Sequence, residues 1–282
     1  RSRCQGDQPG PSDPERKNAM MVTDLARVTA LRASRLALPV MISLTLIMLT
    51  GCGKKGPVRP KLDTLPEAPK QVTLQQQGML FVLGWTIPEK HEDGSKVEDL
   101  TGFRIKRLAY DAAQGCPTCR DPLTEVAEIE LNYPDPAQRI GKRLYWRDLD
   151  IRTGTGYRYA IVPLTIGGHE TPAATVHLAA MQPPPAPTNL QAEAGDARVS
   201  LQWQAPELPE GMELVGYNLY RRYAKRAFPI IPVNQEPLQE THLLDRGLDN
   251  GKAYEYRVSA LVRAGEQRLE SMASPGVLIT PQ

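Results

Sequence analysis

The chain has 282 residues with 34 Lys/Arg against 32 Asp/Glu, a formal net charge of +2. Seven of the basic and four of the acidic residues fall within 1–51, which leaves 27 against 28 from Cys52 onward. So balanced a charge excludes a general electrostatic field for nucleic acid or anionic lipid. Proline is abundant, 26 residues where a share of about 5% is usual, and long helical patterns are few, which favours strands joined by turns.

In chain order, residues 1–19 are polar, with Pro9, Pro11 and Pro14 and no apolar periodicity. They read as an upstream segment foreign to the fold, and Met20 or Met21 is the expected start. Residues 20–51 carry Arg27, Arg32 and Arg35, then a 14-residue apolar run from Leu36 to Leu49. A basic region, an apolar core of that length and small residues before a cleavage point make a secretory signal. A membrane-spanning helix needs about 20 apolar residues, and this run is shorter and interrupted by Pro39, Ser43 and Thr45. Leu49-Thr50-Gly51-Cys52 resembles the lipobox of bacterial lipoproteins. The resemblance implies that Cys52 is lipidated and becomes the first mature residue, anchored to a membrane. Gly53 follows it, not the aspartate that retains enteric lipoproteins in the inner membrane, so the implied location is the cell outer membrane.

Residues 52–68 form a proline-rich stalk with Pro57, Pro60 and Pro66. Mostly extended at ~3.1 Å per residue, it reaches up to ~50 Å from a bilayer. Its first residues, Cys52 to Pro57, resemble a short lipoprotein family that associates with the outer-membrane lipopolysaccharide translocon. A generic basic, flexible spacer is the preferred reading of these six positions.

Beyond the stalk the chain repeats itself. Phe81-Val82-Leu83-Gly84-Trp85-Thr86-Ile87-Pro88 matches Val199-Ser200-Leu201-Gln202-Trp203-Gln204-Ala205-Pro206. Gly102-Phe103-Arg104-Ile105-Lys106-Arg107 matches Gly216-Tyr217-Asn218-Leu219-Tyr220-Arg221. Asp148 stands nine residues before Tyr157, and Asp245 nine before Tyr254. Each tyrosine opens an alternating strand, Tyr157–Val162 and Tyr254–Ala260, with one face toward a core and one toward water.

These landmarks resemble fibronectin type III domains. The resemblance implies two tandem β-sandwiches, residues 69–180 and 187–282, joined by the proline-rich linker 181–186. The fold class is therefore all-β. The second copy is the closer, with Pro187, Leu190 and Ala192 at its opening; the first has a long segment from Asp111 to Lys142. The family's tyrosine corner falls on Tyr157 and Tyr254, whose hydroxyls are expected to bond back to the preceding loop, with Ile151 and Leu248 in the leucine position. Trp85 and Trp203 are expected in the two cores. Consecutive prolines favour polyproline II, so the linker is expected to be short and semi-rigid.

The search for chemistry finds no zinc-binding His-Glu-x-x-His, nucleophile elbow or phosphate loop around His91, His169, His177 and His242. With Cys4 upstream and Cys52 lipidated, Cys116 and Cys119 remain as one pair. In an oxidising compartment they read as a structural disulfide. A redox pair would open a helix, and a zinc site needs two more ligands. Arg221, Arg222, Lys225 and Arg226 are candidates for a phosphate-bearing ligand such as lipopolysaccharide. A solvated strand face accounts for them too. The functional expectation is a non-enzymatic spacer or protein-interaction module of the cell envelope, without metal or cofactor and with an envelope protein as partner. The alternative is an accessory that binds glycan or lipopolysaccharide.

Overall fold

The computed structural model describes residues 64–119, 121–168 and 171–282. The lipobox, Cys52 and most of the stalk lie outside the described residues. Within them every regular element is a strand. The first half contributes β1 (Lys70–Gln77), β2 (Leu80–Thr86), β3 (Leu100–Asp111), β4 (Thr124–Glu130), β5 (Gln138–Ile140), β6 (Arg143–Asp148), β7 (Thr155–Thr165) and β8 (Ala174–Ala179). The second contributes β9 (Thr188–Gly195), β10 (Arg198–Gln204), β11 (Met212–Tyr223), β12 (His242–Arg246), β13 (Tyr254–Ala264), β14 (Gln267–Glu270) and β15 (Val277–Ile279).

Each half folds around its own core. In the first, β1, β2, β6 and β5 face the sheet β4-β3-β7-β8. Phe81, Leu83 and Trp85 meet Phe103, Ile105, Tyr159 and Ile161 between the two layers. In the second, β9-β10-β12 faces β11, β13, β14 and β15. Val199, Leu201 and Trp203 meet Tyr217, Leu219, Tyr256 and Val258 there. Both tryptophans are core residues, 0% and 2% exposed, each packed edge-on against an aromatic of the facing sheet, Phe103 or Tyr217. Full burial of one large apolar side chain contributes roughly 1.5–3 kcal/mol.

The matched Gly-Phe and Gly-Tyr openings have one steric cause. A Cβ at Gly102 would strike the Ile129 carbonyl of β4. A Cβ at Gly216, where φ is 150°, would sit 2.7 Å from Leu238 O and Pro237 Cβ. In both halves a neighbouring backbone crosses where only glycine leaves room.

The remaining landmarks converge as well. Tyr157 OH accepts a bond from Arg152 N at 2.9 Å, and Tyr254 OH accepts one from Asp249 N at 3.0 Å. Ile151 and Leu248 lie buried beside them in their respective cores. Next to each corner sits a buried aspartate. Asp148 Oδ2 accepts from Arg107 Nη1 and Tyr159 OH, both at 2.7 Å. Asp245 Oδ2 accepts from Arg221 Nη1 at 2.7 Å and Tyr256 OH at 2.8 Å. The guanidinium of each triad also lies over its corner tyrosine, at 5.4 and 5.8 Å.

The two halves are not beads on a string. β1 pairs with β14 in parallel, Gln76 with Leu269 and Gln77 with Glu270, so one sheet of each half joins an eight-stranded sheet. The sequence pointed to prolines 183–185 as the source of stiffness, but the pairing and side chains of the junction also hold it. Pro183, Pro184 and Pro187 are themselves buried.

Candidate functional site

The junction is built from residues that belong to neither core. Val82, Tyr220 and Ile230 are buried but lie outside both core clusters. The β10 strand alternates cleanly between buried and exposed positions. In β2 both faces are buried over Phe81–Trp85. Val82, on the outward face, pairs in register with Arg147 of β6, whose Nη2 donates to Phe228 O in the second half at 3.2 Å. The loop between β11 and β12 thus leans on the first half, where Ile230 N also donates to Gln138 Oε1 at 3.2 Å.

Two side-chain clamps hold this arrangement. Gln76, only 1% exposed, donates to Met181 O at 2.6 Å and accepts from Met181 N at 2.9 Å, which fixes the start of the linker. Glu270, 6% exposed, accepts from Ser259 Oγ at 2.6 Å, Asn218 Nδ2 at 2.7 Å, Tyr220 OH at 2.9 Å and Gln77 Nε2 at 3.3 Å. The donors come from both halves. Burial pushes the Glu270 carboxyl above its ordinary value, while these hydrogen bonds pull the other way. Burial beside that carboxylate also pushes the Tyr220 hydroxyl up.

Above Glu270 opens a groove of about 390 Å³. Met79, Leu80, Phe228, Pro229 and Met272 give it apolar walls, and Arg147 and Arg257 bring charge to it. Met79 and Met272 remain 41% and 47% exposed. The Phe228 ring lies between two guanidiniums, Arg222 at 4.2 Å and Arg257 at 4.6 Å. Glu255 pairs with both arginines. Arg147 forms no ion pair among the described residues, and burial lowers its pKa.

The four basic candidates do not form one site. Arg221 Nη1 lies 2.8 and 2.7 Å from the two Asp245 oxygens, inside the second triad. Arg222 points to the opposite side, bonded to Glu255 and to Arg226 O. Lys225 and Arg226 follow in an exposed turn. Strand alternation separates the first two, and carboxylates neutralise them. Cys116 and Cys119 form a disulfide with Cα atoms 5.4 Å apart, on an exposed loop. Arg158 anchors that loop, donating to Cys119 O, to Asp121 O at 3.0 Å and to Pro117 O at 3.4 Å. Among the described residues no group of three or more His, Cys, Asp or Glu could hold a metal ion.

Comparison with known families assigns the second half. Residues 185–276 match the fibronectin type III domain. The chain contains a fibronectin type III domain. Its tyrosine corner is Tyr254, its core tryptophan is Trp203, and Glu270 and Phe228 present it to the groove. Among solved structures, the chicken CNTN1 FN1–FN3 domains align at 15% identity over 78% of this chain and 68% of that one, with a TM-score of 0.32. A structure titled as a myokine aligns at 20% identity over 35% of this chain and 99% of that one, with a TM-score of 0.28. Neither likeness, at those scores, adds to the fold assignment.

Residue patterns did not single out the groove. Glu270 reads as the polar end of a short strand, and its burial depends on β1, nearly 200 residues away in sequence: Gln77 and Glu270 are 193 apart. Tyr220 was legible as a strand residue, but not as a donor to a carboxylate from another strand.

Proposed function

We propose that the protein is a lipid-anchored, non-catalytic spacer and protein-interaction module of the bacterial cell envelope, tethered through Cys52 in the outer membrane. The observation that carries this reading is the junction. A parallel strand pair, Gln76, and the Gln77–Glu270 bond hold two sandwiches as one piece, as a spacer with a defined presenting surface requires. A fibronectin type III domain supports an interaction or spacer role, although fold alone does not choose a partner. We read residues 69–180 as a second, divergent domain of the same family, because the Arg107-Asp148-Tyr159 triad repeats Arg221-Asp245-Tyr256. Arg221 and Arg222 are committed to Asp245 and Glu255, so these two candidates do not favour the glycan-binding alternative.

Two measurements in a Gram-negative host test the proposal. Metabolic acyl labelling is expected to mark the wild type and not Cys52→Ala; label that persists in the variant rejects the anchor. Cross-linking in intact cells is expected to capture envelope proteins. Recovery of polysaccharide alone would reject the protein-interaction role.

A further inference from the structure

We propose that the junction groove binds an extended peptide of a protein partner that presents a carboxylate beside a large apolar side chain. This rests on the protein-interaction reading above and names the chemistry of the partner. The charge balance at the groove is the first argument. Arg147, Arg222 and Arg257 surround Phe228, and Glu255 is the carboxylate that pairs with two of them. Glu270 lies beneath, its oxygens already occupied by Ser259, Asn218, Tyr220 and Gln77.

Arg147 is the second. A guanidinium has five N–H donors in a planar fork, and among the described residues this one donates only to Phe228 O. Removing a cation from water without a counter-charge is costly. A carboxylate entering the groove supplies that charge and matches the fork in a bidentate geometry. Arg257 brings a second guanidinium to the lining of the groove, held to Glu255 through Nη2 alone at 3.4 Å among the described residues.

The walls supply the apolar half of the recognition. Methionine is flexible and polarisable, and it serves surfaces that adapt to varied side chains. Met79 and Met272 line the groove from opposite halves, one on the β1–β2 hairpin and one after β14. A volume of about 390 Å³ falls in the range of ligand pockets, roughly 300–1,000 Å³. The clamped junction keeps both walls in place, which reduces the ordering cost of binding.

The test uses the full chain purified in detergent. The probe is the pentapeptide Gly-Ser-Gly-Phe-Leu, labelled with fluorescein at its amino terminus, as the free carboxylate and as the carboxamide. Anisotropy is expected to show saturable binding of the carboxylate, with the carboxamide about tenfold weaker, the loss of one charge-assisted pair. Arg147→Gln and Arg257→Gln are each expected to weaken the carboxylate and leave the carboxamide unchanged. Lys225→Gln, outside the groove, is expected to bind as the wild type does. Thermal melts identify a variant that fails to fold, and the more exposed Arg257 then carries the test. No saturable binding, equal affinity for the two peptides, or variants that bind like the wild type would overturn the proposal. So would tighter binding of laurate that displaces the peptide, which would assign the groove to lipid. In cells, Arg147→Gln that still cross-links the same proteins would sink the groove and spare the interaction role. Absence of protein neighbours in the wild type would sink that role itself.

Discussion

The Tyr159 hydroxyl donates to Asp148 Oδ2 at 2.7 Å, and the second half repeats the pair with Tyr256 and Asp245 at 2.8 Å. Each aspartate is buried, 4% and 7% exposed, and each is satisfied jointly by that hydroxyl and an arginine. Breaking a buried ion pair by deleting one partner typically costs about 3–5 kcal/mol. Asp148→Ala is expected to fall at the low end of that range, since it leaves the Tyr159 hydroxyl without its acceptor while Arg107 keeps its bonds to the exposed Asp150. Tyr159→Phe removes one bond to a charged group and is expected to cost about 1.5–3 kcal/mol. Urea unfolding compares them, and an Asp148→Ala loss smaller than that of Tyr159→Phe would show that the triad does not act as drawn.

The tyrosine corner of the second half gives a sharper comparison. Tyr254→Phe keeps the ring and leaves Asp249 N without its acceptor, at a cost of roughly 1–2 kcal/mol. Trp203→Ala opens a core cavity and is expected to cost about 3–5 kcal/mol. Trp203→Ala below ~1 kcal/mol, the range of surface substitutions, would remove the tryptophan from the core.

Glu270 gives the junction a pH dependence of unusual sign. Burial holds its folded-state carboxyl above the ordinary 4.5, so the folded protein binds a proton that the unfolded chain releases. Its contribution is fully present below pH 4.5 and is lost as pH rises through the raised value. Glu270→Gln cannot ionise. Stability of the wild type relative to this variant is therefore expected to decline as pH rises from 4.5, measured by urea midpoints at fixed salt. A difference that stays flat, or grows with pH, would contradict the burial argument.

Alkaline titration reads three hydroxyls at once. Burial, reinforced by a carboxylate that accepts from each, pushes Tyr159, Tyr220 and Tyr256 above the ordinary value of 10. The unfolded chain ionises there first, so these groups withdraw stability as pH rises above 10. Absorbance at the phenolate band is expected to show at least these three of the ten tyrosines titrating only with unfolding, joined by Tyr217, which burial also pushes up. Ten that titrate together below the unfolding transition would refute the buried pairs.

Cys116 and Cys119 are expected to be oxidised in protein isolated without reductant, their peptide two hydrogens lighter than after reduction. Reduction is expected to cost only about 1–2 kcal/mol, because so short a loop restrains the unfolded chain little. Two free thiols, or a stoichiometric metal, would reject the bond.

What the sequence determined by itself is whatever repeats locally and alternates with period two. The Trp85 and Trp203 strands, the Gly102 and Gly216 openings, the corners at Tyr157 and Tyr254 and the Cys116–Cys119 pair all carry their information within a few residues, because burial on one face, a close backbone approach or a short loop leaves a local mark. Arg107 and Arg221 were visible as matched positions, and Asp148 and Asp245 as matched spacings. That these residues meet across strands was decided by the tertiary structure, which brings β3 to β6 and β11 to β12 over each core. The junction was wholly a tertiary matter. Gln77 and Glu270 lie 193 residues apart. No periodicity in either segment encodes the other, since strand pairing between halves depends on how two finished sandwiches dock. The same docking turned a strand-face tyrosine, Tyr220, and an outward arginine, Arg147, into the floor and wall of a groove.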